Sequence, residues 1–345
     1  MIFCPILSLI YISFGDSEGL WAHLLDSVLA RYVTKTVALM LGVSCLTLLF
    51  GVTTAWIVAA YQFRFSKFLD MVILLPIACP AYLVAYAYTD FFEYAGPVQG
   101  ALRDMMGWKT ARDYYFPEIR SLGGAIFVLS SVLYPYVYLL SRTAFRHIPS
   151  SFYEVAAISN RNVFWKICLP LARPAIVAGL ALVCMEVVSD FGTVEFFSLE
   201  TLTLGIFNVW IGMNNITAAA QISTFTFIFI ILLLLTEMYS RSRKRFNDTS
   251  RKQTVAKPKV ITGFKALLLY AICLTPVIFG FITPVAILLW NVVKSADIEA
   301  FKAVVDVLQN SLFIAALGAG LIIGQRHSCG QRCKIQWRQD HSGCR

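Results

Sequence analysis

Charge is scarce in this sequence: Asp, Glu, Lys and Arg together make up 14% of its 345 residues, too few to hydrate the surface of a soluble domain. Histidine is rarer still. Four are present and none lies deep in an apolar run, so a membrane-embedded enzyme, which needs clustered intramembrane His, Asp or Glu, finds little support and stands as the least favoured alternative. No Gly-Lys-Ser/Thr loop able to cradle phosphate occurs, and the chain is therefore not expected to hydrolyse ATP. The nine cysteines form no disulfide framework, because Cys45, Cys79, Cys184 and Cys273 stand singly in apolar runs, where a thiol acts as a small hydrophobe. Cys329, Cys333, Cys344, His327 and His341 match no regular zinc spacing. Neither a metal site nor a cofactor is expected.

What is abundant is apolar sequence. With 58% hydrophobic residues and a mean hydropathy of +0.69, the chain reads as an integral membrane protein. Its net charge of +9 gathers beside apolar runs, as positive-inside topology requires, and not on a soluble amphipathic face. The densest basic run, Arg241 to Lys259, has Phe246 as its one aromatic. It lacks a base-stacking platform and reads as a cytoplasmic linker near anionic lipid headgroups, with no nucleic acid as partner.

Met1 to Phe14 is too short to span a bilayer core and has neither the charged n-region nor the cleavage site of a signal peptide. It reads as the remaining part of a first transmembrane helix. Further spans are expected at about Thr36–Tyr61, Met71–Tyr88, Ser121–Leu140, Pro174–Val188 and from Thr224 to Leu235. Pro76 and Pro80 should kink the third. Polar segments at Gly15–Ala30, Asp90–Arg120 and Thr201–Ala220 fall outside, whereas Arg64, Lys67, Arg142, Arg146 and His147 mark the inside.

The longest polar interruption that is neither linker nor tail runs from Tyr153 to Ile176. Ser150 and Ser151 can cap a helix there, and Glu154 suits its first turn. A second short amphipathic run, Val163 to Leu169, ends at Pro170, and Pro174 opens the next span. Two short helices beside a membrane suit docking of a soluble partner. Glu154-Val155-Ala156 at one end and Ile167-Cys168-Leu169-Pro170 at the other resemble the coupling motif of binding-protein-dependent ABC importer permeases, without its central Gly and three residues shorter. The segments GPVQGALRDMMGW, PEIRSLGGAIFVLSSVLYPYVYLLSR and MEVVSDFGTVEFF resemble the first half of fused, two-repeat ferric iron permeases of that class.

The resemblance implies an all-α polytopic transmembrane helical bundle with the type I importer permease fold, in a bacterial inner membrane. It also implies a cytoplasmic ABC ATPase subunit and a periplasmic substrate-binding protein as partners. Glu154, Val155, Ala156, Ile167, Leu169 and Pro170 would then couple to the ATPase. Glu186, Asp190 and Glu195 are carboxylates in or just past a span, and a hard ferric cation suits such oxygen ligands, so they are candidate pathway residues with Tyr82, Tyr86 and Tyr88. Thiamine, a polyamine or an oxyanion are the alternative cargoes.

Residues 1–240 read as a first permease repeat of about six helices with coupling helices at 153–170, and 241–263 as a linker. Residues 264–324 then read as the start of a second repeat, since Leu267–Trp290 and Asn310–Leu317 restate the order of a Pro-containing helix, a polar segment and an apolar helix. Residues 325–345 share nothing with either repeat and read as translation out of frame. A pore made of two repeats would need a second permease copy.

Overall fold

A computed structural model of the chain describes residues 4–17, 19–153, 162–242, 258–294, 304–305 and 307–320. They fall into two units, Met1–Leu288 and Leu289–Arg345. Among the described residues, four helical runs are long and apolar enough to cross a membrane: Asp26–Ala60, Leu122–Arg146, Phe164–Ser189 and Phe264–Lys294. Shorter apolar helices include α1 (Cys4–Ser13) and the stretch Ile216–Leu232. The architecture is the expected all-α membrane bundle.

The core of the first unit is a trio. Helix α2 (Leu20–Leu24) runs through a π-helical turn, Leu25–Leu29, into α3 (Ala30–Ala60). Helix α3 packs along α7 (Leu122–Arg146), and α8 (Leu169–Ser189) closes the group. Two glycines let the backbones approach: a Cβ on Gly51 of α3 would stand 2.7 Å from the Val137 Cβ, and one on Gly179 of α8 would stand 2.8 Å from the Val137 Cα. In lipid, where water does not drive helices together, such small-residue contacts set how closely spans pack. Ser121 caps α7 by accepting from the Gly124 amide at 3.2 Å.

The third span departs from the expectation of one kinked helix. Short helix α4 (Ser66–Val72) and a 3-10 turn, Leu75–Ala78, meet α5 (Ala81–Phe92) and α6 (Pro97–Met106) at a bend of 84°. Cys79, forced from helical geometry by Pro80 after it, is extended at φ −99° and ψ 118°. With Pro76 also lacking an amide hydrogen, the helix breaks there.

Three other boundaries are corrected. No helix ends at Pro170: Val163 to Ser189 is one helical run, in which the π-helical turn Phe164–Cys168 leads directly into α8. The widened turn, where the Leu169 amide reaches back to the Phe164 carbonyl, accommodates the ring that follows. The segment Thr201–Ala220 is helical for much of its length, with α9 (Gly192–Phe196) before it, α10 (Leu202–Phe207) running into a π-helical turn Asn208–Gly212, and α11 (Ile216–Ser242) already begun. Asn215 starts α11 eight residues early by accepting from the Ala218 amide at 2.8 Å. The second span likewise begins before Thr36, since α3 starts at Ala30.

After the basic linker the chain returns to the bundle. Strand β2 (Lys259–Val260) pairs in parallel with β1 (Tyr61–Gln62), and the Ile261 amide donates to the Gln62 carbonyl at 3.0 Å. Helix α12 (Phe264–Val277) then packs on α3, with Cys273 and Val277 fully buried and Tyr270 edge-on to Phe63 at 4.6 Å. A π-helical turn, Ile278–Ile282, follows before α13 (Thr283–Lys294), and in that turn the Phe279 carbonyl accepts from the Tyr88 hydroxyl at 2.6 Å. In the second unit, Val307–Gly320 (α14) is an apolar helix too short to span alone. The tail 325–345 and the linker residues 243–257 lie outside the described residues.

Overpacking distinguishes the two kinds of glycine. Gly179→Ala is expected to cost about 1–3 kcal/mol through collision with the α7 backbone, whereas Gly100→Ala, with no atom within 4 Å of the new Cβ, should be neutral or slightly stabilising. Thermal unfolding of the purified protein in detergent checks both.

Candidate functional site

Between the start of α5, the middle of α7 and the end of α8 lies a cavity of about 350 Å³. Two carboxylates, Glu186 and Asp190, and two phenols, Tyr82 and Tyr136, line it together with Ser189, and the remaining wall is apolar except for the Cys79 thiol. No Lys, Arg or His is among its lining residues. Asp190 is the residue at which α8 ends, and its amide donates to the Glu186 carbonyl at 2.9 Å. One Asp190 carboxylate oxygen accepts from the Thr193 amide at 3.4 Å, whereas the other is buried without a hydrogen-bond partner. Glu186, one turn earlier, lies within electrostatic reach of Tyr136 and is exposed at the bundle surface. Tyr82 rests on the turn after Asp190, where a Cβ on Gly192 would meet its Cβ at 3.1 Å.

The structure thus gathers Glu186, Asp190 and Tyr82 and leaves other candidates apart. Tyr86, half exposed, stacks edge-on against Phe196 at 6.1 Å and does not line the cavity. Glu195 sits exposed in α9, outside the lining. Tyr88 is buried and spends its hydroxyl on the Phe279 carbonyl. Tyr136 was not singled out in the sequence, although its place one residue past Pro135 on the α7 face that meets α8 brings it into the wall.

At the basic end, Glu154, Val155 and Ala156 lie outside the described residues, and the structure gives the flanks of that stretch. Residues 150–153 are helical. Tyr153 meets Cys168 through a contact of 3.7 Å between hydroxyl and thiol, and burial, with Cys168 beside it, pushes the phenol above its ordinary range. Asn162 accepts from the Phe164 and Trp165 amides at 3.1 and 3.4 Å and so starts the second run. Ile167, Leu169 and Pro170 are half-buried, while Trp165 and Lys166 are exposed. Phe164 joins Trp56 of α3 and Phe145 of α7 in one aromatic cluster, with ring centroids 5.0 to 6.3 Å apart.

A second polar cluster joins residues about seventy positions apart in the sequence. Asp70 of α4 binds the Tyr138 hydroxyl and the Arg142 guanidinium, and Arg146 stands 3.4 Å away. One turn before Tyr138 in α7, Tyr134 donates to the Ile73 carbonyl at 2.7 Å. The signal was present: Tyr134, Tyr138, Arg142 and Arg146 recur every four residues, a spacing that puts them on one helix face.

Comparison with known proteins follows the geometry. Residues 47–245 match the family model described as "Binding-protein-dependent transport system inner membrane component". The chain is 23% identical over 310 residues to the Fe(3+)-transport system permease protein FbpB 2 of Haemophilus influenzae, covering 86% of this chain and 55% of that protein. It is 27% identical over 211 residues to PhnU of Salmonella choleraesuis, named for 2-aminoethylphosphonate transport, covering 58% of this chain and 72% of that protein. A protein of Chlorokybus atmophyticus named for sulfate transport, cysT, is 24% identical over 198 residues, or 56% of this chain and 66% of that one. The chain therefore spans little more than half the length of the iron relative. A bacterial alginate ABC transporter, solved with an alginate-bound periplasmic protein, superposes with a TM-score of 0.53 at 16% identity, over 70% of this chain and 89% of its own. That likeness concerns the fold alone.

The unpartnered Asp190 oxygen carries a stability consequence. A carboxylate removed from water without compensating donors destabilises the fold that holds it, so Asp190→Asn should leave the thermal unfolding temperature in detergent unchanged or raise it. A clear fall would mean that Asp190 has a structural partner.

Proposed function

Since the chain belongs to the binding-protein-dependent transport system inner membrane component family, we propose that it forms the transmembrane path of an ABC importer for a cation, ferric iron above the other cargoes. The observation that carries this reading is the cavity: two carboxylates and two phenols converge there and no cationic side chain lines it. Hard oxygen donors of this kind suit a trivalent hard cation, whereas an oxyanion would meet repulsion from Glu186 and Asp190 and find no Arg or Lys to bind it. The iron relative, matched over 86% of this chain, supports the same choice.

In this reading the cavity is a station on the path and not a storage site. Cargo released by a periplasmic binding protein enters from the face carrying Glu93, Glu118 and Glu200, passes Glu186 and Asp190, and leaves on the basic, cytoplasmic face. ATP hydrolysis is the work of a separate ABC subunit docked at that face. Glu154, Val155, Ala156, Ile167, Leu169 and Pro170 would receive it, with exposed Trp165 and Lys166 beside them. Glu186 supports a further partner. An exposed carboxylate on an apolar helix is costly against lipid tails, so a second permease copy or repeat would cover this face and complete the path.

The domain reading follows the same logic: 1–240 a first repeat, 241–263 a linker, 264–324 the start of a second repeat, and 325–345 a tail unlike either. The packing of α12 on α3 then means that the second repeat begins docked on the first.

Two measurements test the reading. With the cognate ATPase and binding protein supplied, uptake of radiolabelled ferric iron should fall at least about tenfold in Glu186→Gln and in Asp190→Asn at normal protein level, and excess sulfate or 2-aminoethylphosphonate should not compete. Unchanged uptake in both variants, or competition by either anion, would sink the cation path. Leu169→Glu should separately abolish co-purification of the ATPase with the permease, and intact co-purification would reject that docking site.

A further inference from the structure

We propose that Asp70 is a positioning residue for the cavity: clamped by α7, it holds the half-span α4 and the 3-10 turn after it against α7, and so fixes Cys79 at the cavity wall. The clamp has four rungs on one face of α7. Tyr134 donates to the Ile73 carbonyl at 2.7 Å, Tyr138 and Arg142 bind the two Asp70 oxygens, and Arg146 approaches one of them at 3.4 Å. Arg142 and Asp70 are only 21% and 19% exposed, so the pair is largely shielded from solvent screening, unlike a surface ion pair.

Leu69 and Ile73 bury the inner face of α4 in the apolar core, and Asp70 adds a charged tie to α7. The outer face of α4 presents Phe65, Phe68 and Met71, all more than 60% exposed, and Asp70 is the one carboxylate paired with Arg142 and Arg146 among the described residues. Its removal would leave the two guanidinium groups, one helical turn apart, repelling each other beneath α4. Nine residues after Asp70 stands Cys79, buried and lining the cavity opposite Leu129 and Leu133 of α7. Between them lie the 3-10 turn and Pro76, where no continuous α-helical ladder transmits stiffness. Apolar packing of Leu69, Ile73 and the 3-10 turn seats this wall, and the Asp70 tie fixes the end from which it extends.

The clamp stands apart from the cation reading, and only its consequence for cargo rests on that reading. Cys79 is a built-in reporter. The full chain in native membranes is treated with a small charged methanethiosulfonate, and labelling of each cysteine is followed by peptide mass spectrometry. Asp70→Asn and Asp70→Ala should each speed Cys79 labelling about tenfold, because labelling of a buried thiol tracks its open population. Cys273, fully buried in the same core, should stay protected, and Asp70→Glu should restore most of the protection at Cys79. Unchanged Cys79 labelling with Cys273 protected would overturn the proposal. Should Cys273 also react, Tyr138→Phe, which removes one hydroxyl and leaves packing intact, decides: faster labelling confined to Cys79 upholds the clamp, and no change rejects it. Wild-type iron uptake in Glu186→Gln beside faster Cys79 labelling in Asp70→Asn would remove the cation path and leave the clamp standing.

Discussion

A broken helix in a membrane has to find its hydrogen-bond partners in protein, because the hydrocarbon core offers no water. The break at Cys79 and Pro80 imposes that constraint on the whole first unit. Tyr134 supplies a donor to the Ile73 carbonyl just before the break, and Tyr88, just after it, donates to Phe279. The second bond recruits the turn after α12 into the same core, where a Cβ on Gly280 would collide with the Ser131 carbonyl. A helix that follows the basic linker in sequence thus becomes part of the scaffold around the break.

Charge is distributed to match. Along α7 the side chains change from Tyr136 in the cavity to Arg142 and Arg146 at the basic end. The acidic groups of the cavity, Glu186 and Asp190, both sit at the end of α8 beside the start of α5, separated from those guanidinium groups by the apolar and phenolic turns between. Asp70 offsets one of those two charges at the basic end, and the cavity carboxylates have no cationic partner among the residues that line the site. An unpaired buried carboxylate oxygen is expensive, and the structure tolerates it at Asp190 because a densely packed trio of helices, closed at Val137 by Gly51 and Gly179, supplies stability elsewhere.

Much of this was legible in the sequence. Apolar run length gave the membrane class and most spans, since the period and composition of a spanning helix are imposed by the bilayer itself. The carboxylates near the end of α8 stood out because charge is costly there, and Glu186, Asp190 and Tyr82 do meet. Tyr86, one turn past Tyr82 on α5, falls outside because its ring packs on Phe196, and Glu195 because it is exposed in α9, which follows Gly192 at Tyr82. Proline acts differently at the two sites: Pro80, expected to kink a span, breaks it, whereas Pro170, expected to end a helix, is absorbed by a π-helical turn, and no single-residue rule separates these cases. Asp70 went unnoticed since its meaning lies in a pairing with residues about seventy positions away.

Helix α7 joins the two ends of the molecule. Phe145, near its basic end, packs with Trp56 and Phe164, and Leu133, twelve residues earlier, forms cavity wall. At 1.5 Å rise per residue these points lie about 18 Å apart on one helix. Pro135 lies between them yet the helix runs on without a break, and its buried side chains leave little freedom to bend independently of α3 and α8. A push on the aromatic cluster would accordingly move α7 as a body, carrying the Tyr134 and Tyr138 anchors with it. The break after α4 is the place where such a movement changes shape instead of merely position, because there the ladder of the helix is already interrupted and the cavity wall begins.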